Sequence, residues 1–172
     1  MSEIKGNCPE ITIYGFTIKN IIDDLPSKGD FRQRKLKAIT HIVIHHSASP
    51  AGKFTPYDFA RWHMEGSMKA PRVCYHYSID QGGIIYKCNK HSSIVWHASN
   101  ANYYSLGVEL DGNFMTEKPT VLQMESLRFL IKELEKELNK DLKLVGHKEV
   151  DATLCPGDNM MAIKSEWRTL NS

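Results

Sequence analysis

Three β-branched residues in a row, Ile42-Val43-Ile44, run straight into two histidines, His45-His46. A short, unbroken apolar run of this kind reads as a strand buried on both faces. Such strands belong to sheets covered by helices on both sides. The polar pair then stands just past the carboxyl edge of the sheet, where open α/β domains present their sites.

The rest of the chain supplies the other elements of such a domain. Residues 1–39 read as an irregular N-terminal arm holding at most one short helix or strand, broken by Pro26, Ser27 and Gly29. Thr55-Pro56 marks a helix start, as N-cap and first-turn proline, and Gly66 marks its end. Tyr75–Ile79 and Ile84–Cys88 flank Asp80-Gln81-Gly82-Gly83, a hairpin signature. Leu106–Leu110 predicts a strand whose internal Gly107 points to close packing. Thr120 and Gln123 form a capping box ahead of the stripe Leu127, Leu130, Ile131, Leu134 and Leu138, a long amphipathic helix. Leu144-Val145 is a short strand leading into Gly146-His147, and a last helix spans Met160 to Arg168. The order predicts a single α/β domain with a central mixed β-sheet flanked by helices.

Length and charge narrow the function classes. The 172 residues fit one domain with a sizeable core. With 22 Lys/Arg against 20 Asp/Glu, no basic stripe recommends nucleic acid. The densest basic run, Arg32 to Lys37, reads as a solvated segment before a strand. No apolar stretch is long enough to cross a bilayer, so no membrane role is expected. The first residues lack the basic start and apolar run of a secretory leader. Cys8, Cys74 and Cys88 are expected as free, buried thiols, with a Cys74–Cys88 bridge across the hairpin left open.

Eight histidines are many for this length. His147 through Cys155-Pro156-Gly157 forms a polar loop after a short strand. One histidine of the first strand, with His147 and Cys155, would make a three-ligand zinc set that leaves a fourth position for water. Cys155 could equally be an ordinary buried thiol, or a nucleophile with His147 as base. His41, His63 and His91 show no partner pattern and are expected to be structural or exposed. Glu149 beside His147 lacks the helical HExxH context of a metalloprotease base.

Four segments in order resemble the zinc-dependent N-acetylmuramoyl-L-alanine amidases, the family of bacteriophage T7 lysozyme and the peptidoglycan recognition proteins. They are Thr40–Ala48, Val73-Cys74-Tyr75-His76-Tyr77, Trp96-His97-Ala98 with Asn102 and Ser105–Leu110, and Gly146–Val150 through Thr153–Gly157. The likeness runs from about residue 40 to 157, inside a catalytic domain expected over residues 40–172.

The resemblance implies His45, His147 and Cys155 as ligands of one Zn2+ per chain. It implies Tyr75 near the metal and Thr153 at a position where the phage-type enzyme has lysine and catalytic recognition proteins have threonine. Glu109 matches a glutamate given a base role in related cytosolic amidases. His46, His76, His97 and Asn102 are implied as groove or supporting residues. The implied activity is hydrolysis of the amide between N-acetylmuramic acid and L-alanine of peptidoglycan or a muropeptide, with zinc-activated water as nucleophile. The alternatives are a non-catalytic peptidoglycan-binding module and a cytosolic recycling amidase. Retention of Cys155 favours an enzyme. The expectation is a monomer that acts as an endolysin-like, antimicrobial wall hydrolase. It would be cytoplasmic until released to the wall, or secreted if a leader has been removed.

Overall fold

Strand β3 (His41–His46) sits inside the sheet, between two parallel neighbours. On one side lies β6 (Ser105–Leu110), and on the other β7 (Lys143–Gly146). β6 continues to β4 (Tyr77–Ile79), in parallel. β4 forms the expected hairpin with β5 (Ile85–Lys87). The sheet is finished by β2 (Phe16–Asn20) and β1 (Glu10–Ile13), giving the order β1-β2-β5-β4-β6-β3-β7. The structure, a computed structural model, describes residues 10–13 and 15–170, so the expectation for Cys8 lies outside the described residues.

Alternation along the central strands gives the sheet two different faces. Ile42 and Ile44 of β3, with Leu106, Val108 and Leu110 of β6, point to one side. There they meet Met124, Leu127, Leu130 and Leu134 of helix α2 (Val121–Leu138). Each leucine buried this fully contributes roughly 2–3 kcal/mol. Thr120 caps α2 as expected: its Oγ1 accepts from the Gln123 backbone N–H at 3.0 Å, and Gln123 Oε1 accepts from the Thr120 N–H at 3.0 Å. The opposite face carries Val43 and Val145 packed on Ala98 and Ala101. His45 and Glu109, paired in register, stand on that same face at the carboxyl end. Helix α1 (Pro56–Glu65) packs through Phe59 and Ala60 onto Ile21, Leu25, Val73 and Cys88, and α3 (Asp158–Leu170) adds Met160 to the main core. The result is one α/β domain built on a mixed sheet, as the element order predicts.

Two expectations are corrected. The 1–39 segment is more than an arm with one short element, because it contributes β1 and β2 to the sheet. Phe16 stacks on Phe129 of α2 at 4.6 Å, and Ile18 packs on the main core. The basic run is not wholly solvated. Arg34 is buried and donates to the backbone oxygens of His91, Asn102 and Tyr103. Those carbonyls offer the guanidinium enough acceptors to leave water, although burial still lowers its pKa to about 10. Cys74 and Cys88 are buried free thiols, so the bridge across the hairpin is not made.

Candidate metal centre

The ligand atoms of His45, His147 and Cys155 all lie within 4.8 Å of one another. His45 comes from the end of β3, and the other two from the loop that leaves β7. That loop makes a tight return. The Lys148 N–H donates to the Cys155 carbonyl at 2.7 Å, and Cys155-Pro156 is a cis peptide. Gly157 follows at φ +92, where an added Cβ would strike the Phe114 backbone at 2.4 Å. Only glycine fits there.

The tautomer of His45 can be deduced from its neighbours. Ser105 Oγ donates to the Ala101 carbonyl at 2.6 Å, so it accepts from His97 Nε2 at 3.2 Å. His97 Nδ1 is therefore an acceptor, and His45 Nε2, 2.9 Å away, must donate to it. This leaves the Nδ1 lone pair of His45 facing the cluster, 3.6 Å from Cys155 Sγ. A histidine whose second nitrogen is tied in this way is oriented for a metal. Two imidazoles and a thiol are the donor types that zinc takes.

Burial keeps all three donors neutral in the absence of a cation. It holds His45 well below its ordinary value, with the charges of neighbouring histidines adding to the effect. His147 is also lowered by burial, against the pull of Asp151. Burial lifts the Cys155 thiol to about 11, against a backbone N–H donated by His46. A cation supplies the missing charge and turns the thiol into a thiolate ligand.

A cleft of about 400 Å³ opens over these donors. Tyr75, Thr153, His63 and the exposed side chains of Met68, Trp96 and Leu154 line it. The Tyr75 ring lies 5.3 Å from that of His45. Burial, then Glu109, then Cys155 raise its phenol well above the ordinary value, so it stays protonated. Thr153 Oγ1 accepts the Cys155 N–H at 3.2 Å, leaving its own proton to donate.

The remaining expected residues fall into different places. Glu109 is fully buried beneath the cleft, opposite His45 on β6. Its Oε2 accepts from Ser78 Oγ at 2.5 Å, Oε1 has no hydrogen-bond partner among the described residues, and burial pushes its pKa up to about 8. Glu109 is therefore not among the residues that line the cleft. His46 turns to the other face and accepts the Phe114 N–H at 3.2 Å through Nδ1, although its backbone touches the Cys155 sulfur. His76 stands one residue before β4. Its Nδ1 accepts the Gly107 N–H at 3.0 Å, its Nε2 donates to the Ser93 carbonyl at 3.0 Å, and no atom of it joins the donor cluster. Asn102 Oδ1 caps the turn after His97, accepting the His97 and Ala98 N–H groups at 2.8 and 2.7 Å. Glu149 is structural: its Oε2 accepts from the Gly146 N–H and pairs with Lys164.

Sequence reading missed Asp151, Ser99, Ser105 and the lining role of His63. The spacing of His147 and Asp151, four apart, carried a faint signal. The others depend on contacts between segments far apart in the chain.

Comparison with known proteins agrees with this geometry. The model of the family described as N-acetylmuramoyl-L-alanine amidase matches residues 35–158. The chain is 28% identical over 158 residues to peptidoglycan-recognition protein LB of Drosophila melanogaster, covering 83% of this chain and 68% of that protein. Among solved structures it resembles the N-acetylmuramoyl-L-alanine amidase LysC from Clostridium intestinale, with TM-score 0.75 and 27% identity over 88% of this chain and 97% of the other. It is similar in the same way to the Ph2119 endolysin of a Thermus scotoductus bacteriophage, with TM-score 0.74 and 27% identity over 87% of this chain and 97% of that one. A match over most of the chain, with the His45–His147–Cys155 cluster inside it, places this protein in the N-acetylmuramoyl-L-alanine amidase family.

Proposed function

We propose that the protein is a zinc-dependent N-acetylmuramoyl-L-alanine amidase, cleaving the bond between N-acetylmuramic acid and L-alanine in peptidoglycan or its fragments. The observation that carries this reading is the convergence of two imidazoles and one thiol at the floor of a cleft. His45, His147 and Cys155 would hold one zinc ion per chain. When bound, zinc supplies Lewis acidity, which polarises a carbonyl and makes water a nucleophile near neutral pH.

The chain's own groups do the rest. The Tyr75 phenol, kept protonated by burial, donates to the oxygen of the amide carbonyl as negative charge develops there. Thr153 adds a second hydroxyl donor in the same cleft. Trp96, Met68 and Leu154 offer apolar surface at the cleft rim for the substrate to lie against. Action on the wall after release from the cytoplasm or after export, as a monomer, completes the reading.

Metal analysis of the purified protein tests it. The expected result is about one zinc per chain, lost together with hydrolysis in Cys155→Ser. Full activity after complete chelation would overturn it.

A further inference from the structure

The stretch Trp96–Ser105 contacts the frame of the metal centre from two sides without joining the ligand set. On one side His97 accepts from His45. On the other, Ser99 Oγ donates to Asp151 Oδ2 at 2.6 Å. Asp151 sits in the loop that carries both other donors. Its Oδ1 accepts the Ala152 N–H, and its Oδ2 lies 3.5 Å from His147 Nε2, a buried nitrogen with no hydrogen-bond partner among the described residues. Asp151 itself stands outside the convergent set.

The stretch is held rigid from within and from behind. Asn102 Oδ1 binds the N–H groups of His97 and Ala98. Arg34 Nη1 donates to the carbonyls of Asn102 at 2.6 Å and Tyr103 at 2.9 Å. Ser99 is kept at φ +43, a conformation that non-glycine residues hold only where their surroundings impose it.

Sheet pairing cannot do this work. The β3–β7 ladder ends at Ile44↔Gly146, so every residue from His147 to Cys155 lies beyond it. The loop that carries two of the donors is therefore held by side chains, through Glu149 to Lys164 of α3 and through Asp151 to Ser99.

We propose that Trp96–Ser105 is a single clamp that sets the separation between His45 and the His147–Cys155 loop, with Ser99 and Asp151 as positioning residues for the metal centre. This rests on the zinc reading above. Partners outside the ligand set typically change metal affinity about 10–100-fold when removed.

The test is zinc affinity by competition with a chromophoric chelator, alongside the visible spectrum of the cobalt-substituted protein. Ser99→Ala should weaken zinc binding about tenfold and alter the cobalt bands, while the metal-free protein melts as the parent does. Asp151→Ala should weaken it at least as much. Adding Ser99→Ala to Asp151→Ala should change nothing further, because Ser99 acts through that carboxylate. Asp151→Asn, which still accepts from Ser99, should recover most of the affinity. Unchanged affinity in Ser99→Ala, or fully additive losses in the double variant, would overturn the clamp. A fall in metal-free melting temperature that accounts for the whole loss would overturn it too. If the parent binds no zinc, it is the metal reading that fails instead.

Discussion

Nε2 of His45 donates to Nδ1 of His97 across 2.9 Å, and the contact depends on a residue with no side chain. A Cβ on Gly107 would lie 2.7 Å from His97 Cγ, so the ring occupies space that only glycine leaves on β6. An orienting partner for a metal-binding histidine is thus built from a strand glycine, a serine and a backbone carbonyl.

His97→Leu removes the acceptor that fixes the His45 tautomer. Zinc affinity should fall about 10–100-fold. His97→Gln can accept from His45 through its carbonyl and should retain most of the affinity. Chelator competition reads both, and equal losses in the two variants would count against the tautomer argument.

Gly107→Ala should destabilise the protein by about 1–3 kcal/mol, because a methyl must displace a packed ring in a buried strand. Urea unfolding of the metal-free protein gives the value. The same variant should also bind zinc more weakly, since His97 is pushed from its place.

Arg34 holds three backbone carbonyls that sit 57 to 69 residues further along the chain. Arg34→Ala leaves them short of donors in a buried setting and should cost about 2–4 kcal/mol. Arg34→Lys should fall between, as one ammonium cannot reach all three. An alanine variant within about 0.5 kcal/mol of the parent would show that water replaces the guanidinium.

His63 predicts acid sensitivity. Its Nδ1 accepts the Cys74 N–H at 3.0 Å, and burial lowers its pKa from 6.5 to about 4. Between those values the unfolded chain binds more protons than the folded one, so stability rises with pH. The contribution is complete above pH 6.5 and is lost as pH falls toward 4. In the metal-free protein, His63→Gln should lower the slope of stability against pH in that window by up to about one proton. An unchanged slope would mean that His63 titrates alike in both states.

Much of the framework was legible because it is written locally. The run Ile42–Ile44, the Thr120/Gln123 capping box and the Asp80–Gly83 turn are each determined by residues within a few positions. The cluster became legible only through four motifs taken together, since nothing in the spacing of residues 45, 147 and 155 requires convergence. What escaped depends on distant partners. Phe16 and Ile18 show apolar alternation too short to be read until α2 and β5 cover them. Arg34 looks like surface charge until its carbonyls are in place. Ser99 and Asp151 look like loop polarity until they meet.

What defines such an enzyme is the bond that it cuts. Purified peptidoglycan digested with the protein, and analysed by mass and by amino-terminal labelling, reads it directly. The digest should contain new L-alanine amino termini with intact glycan, abolished by chelation and restored by zinc. Tight binding with no products, or new termini inside the stem peptide, would contradict it.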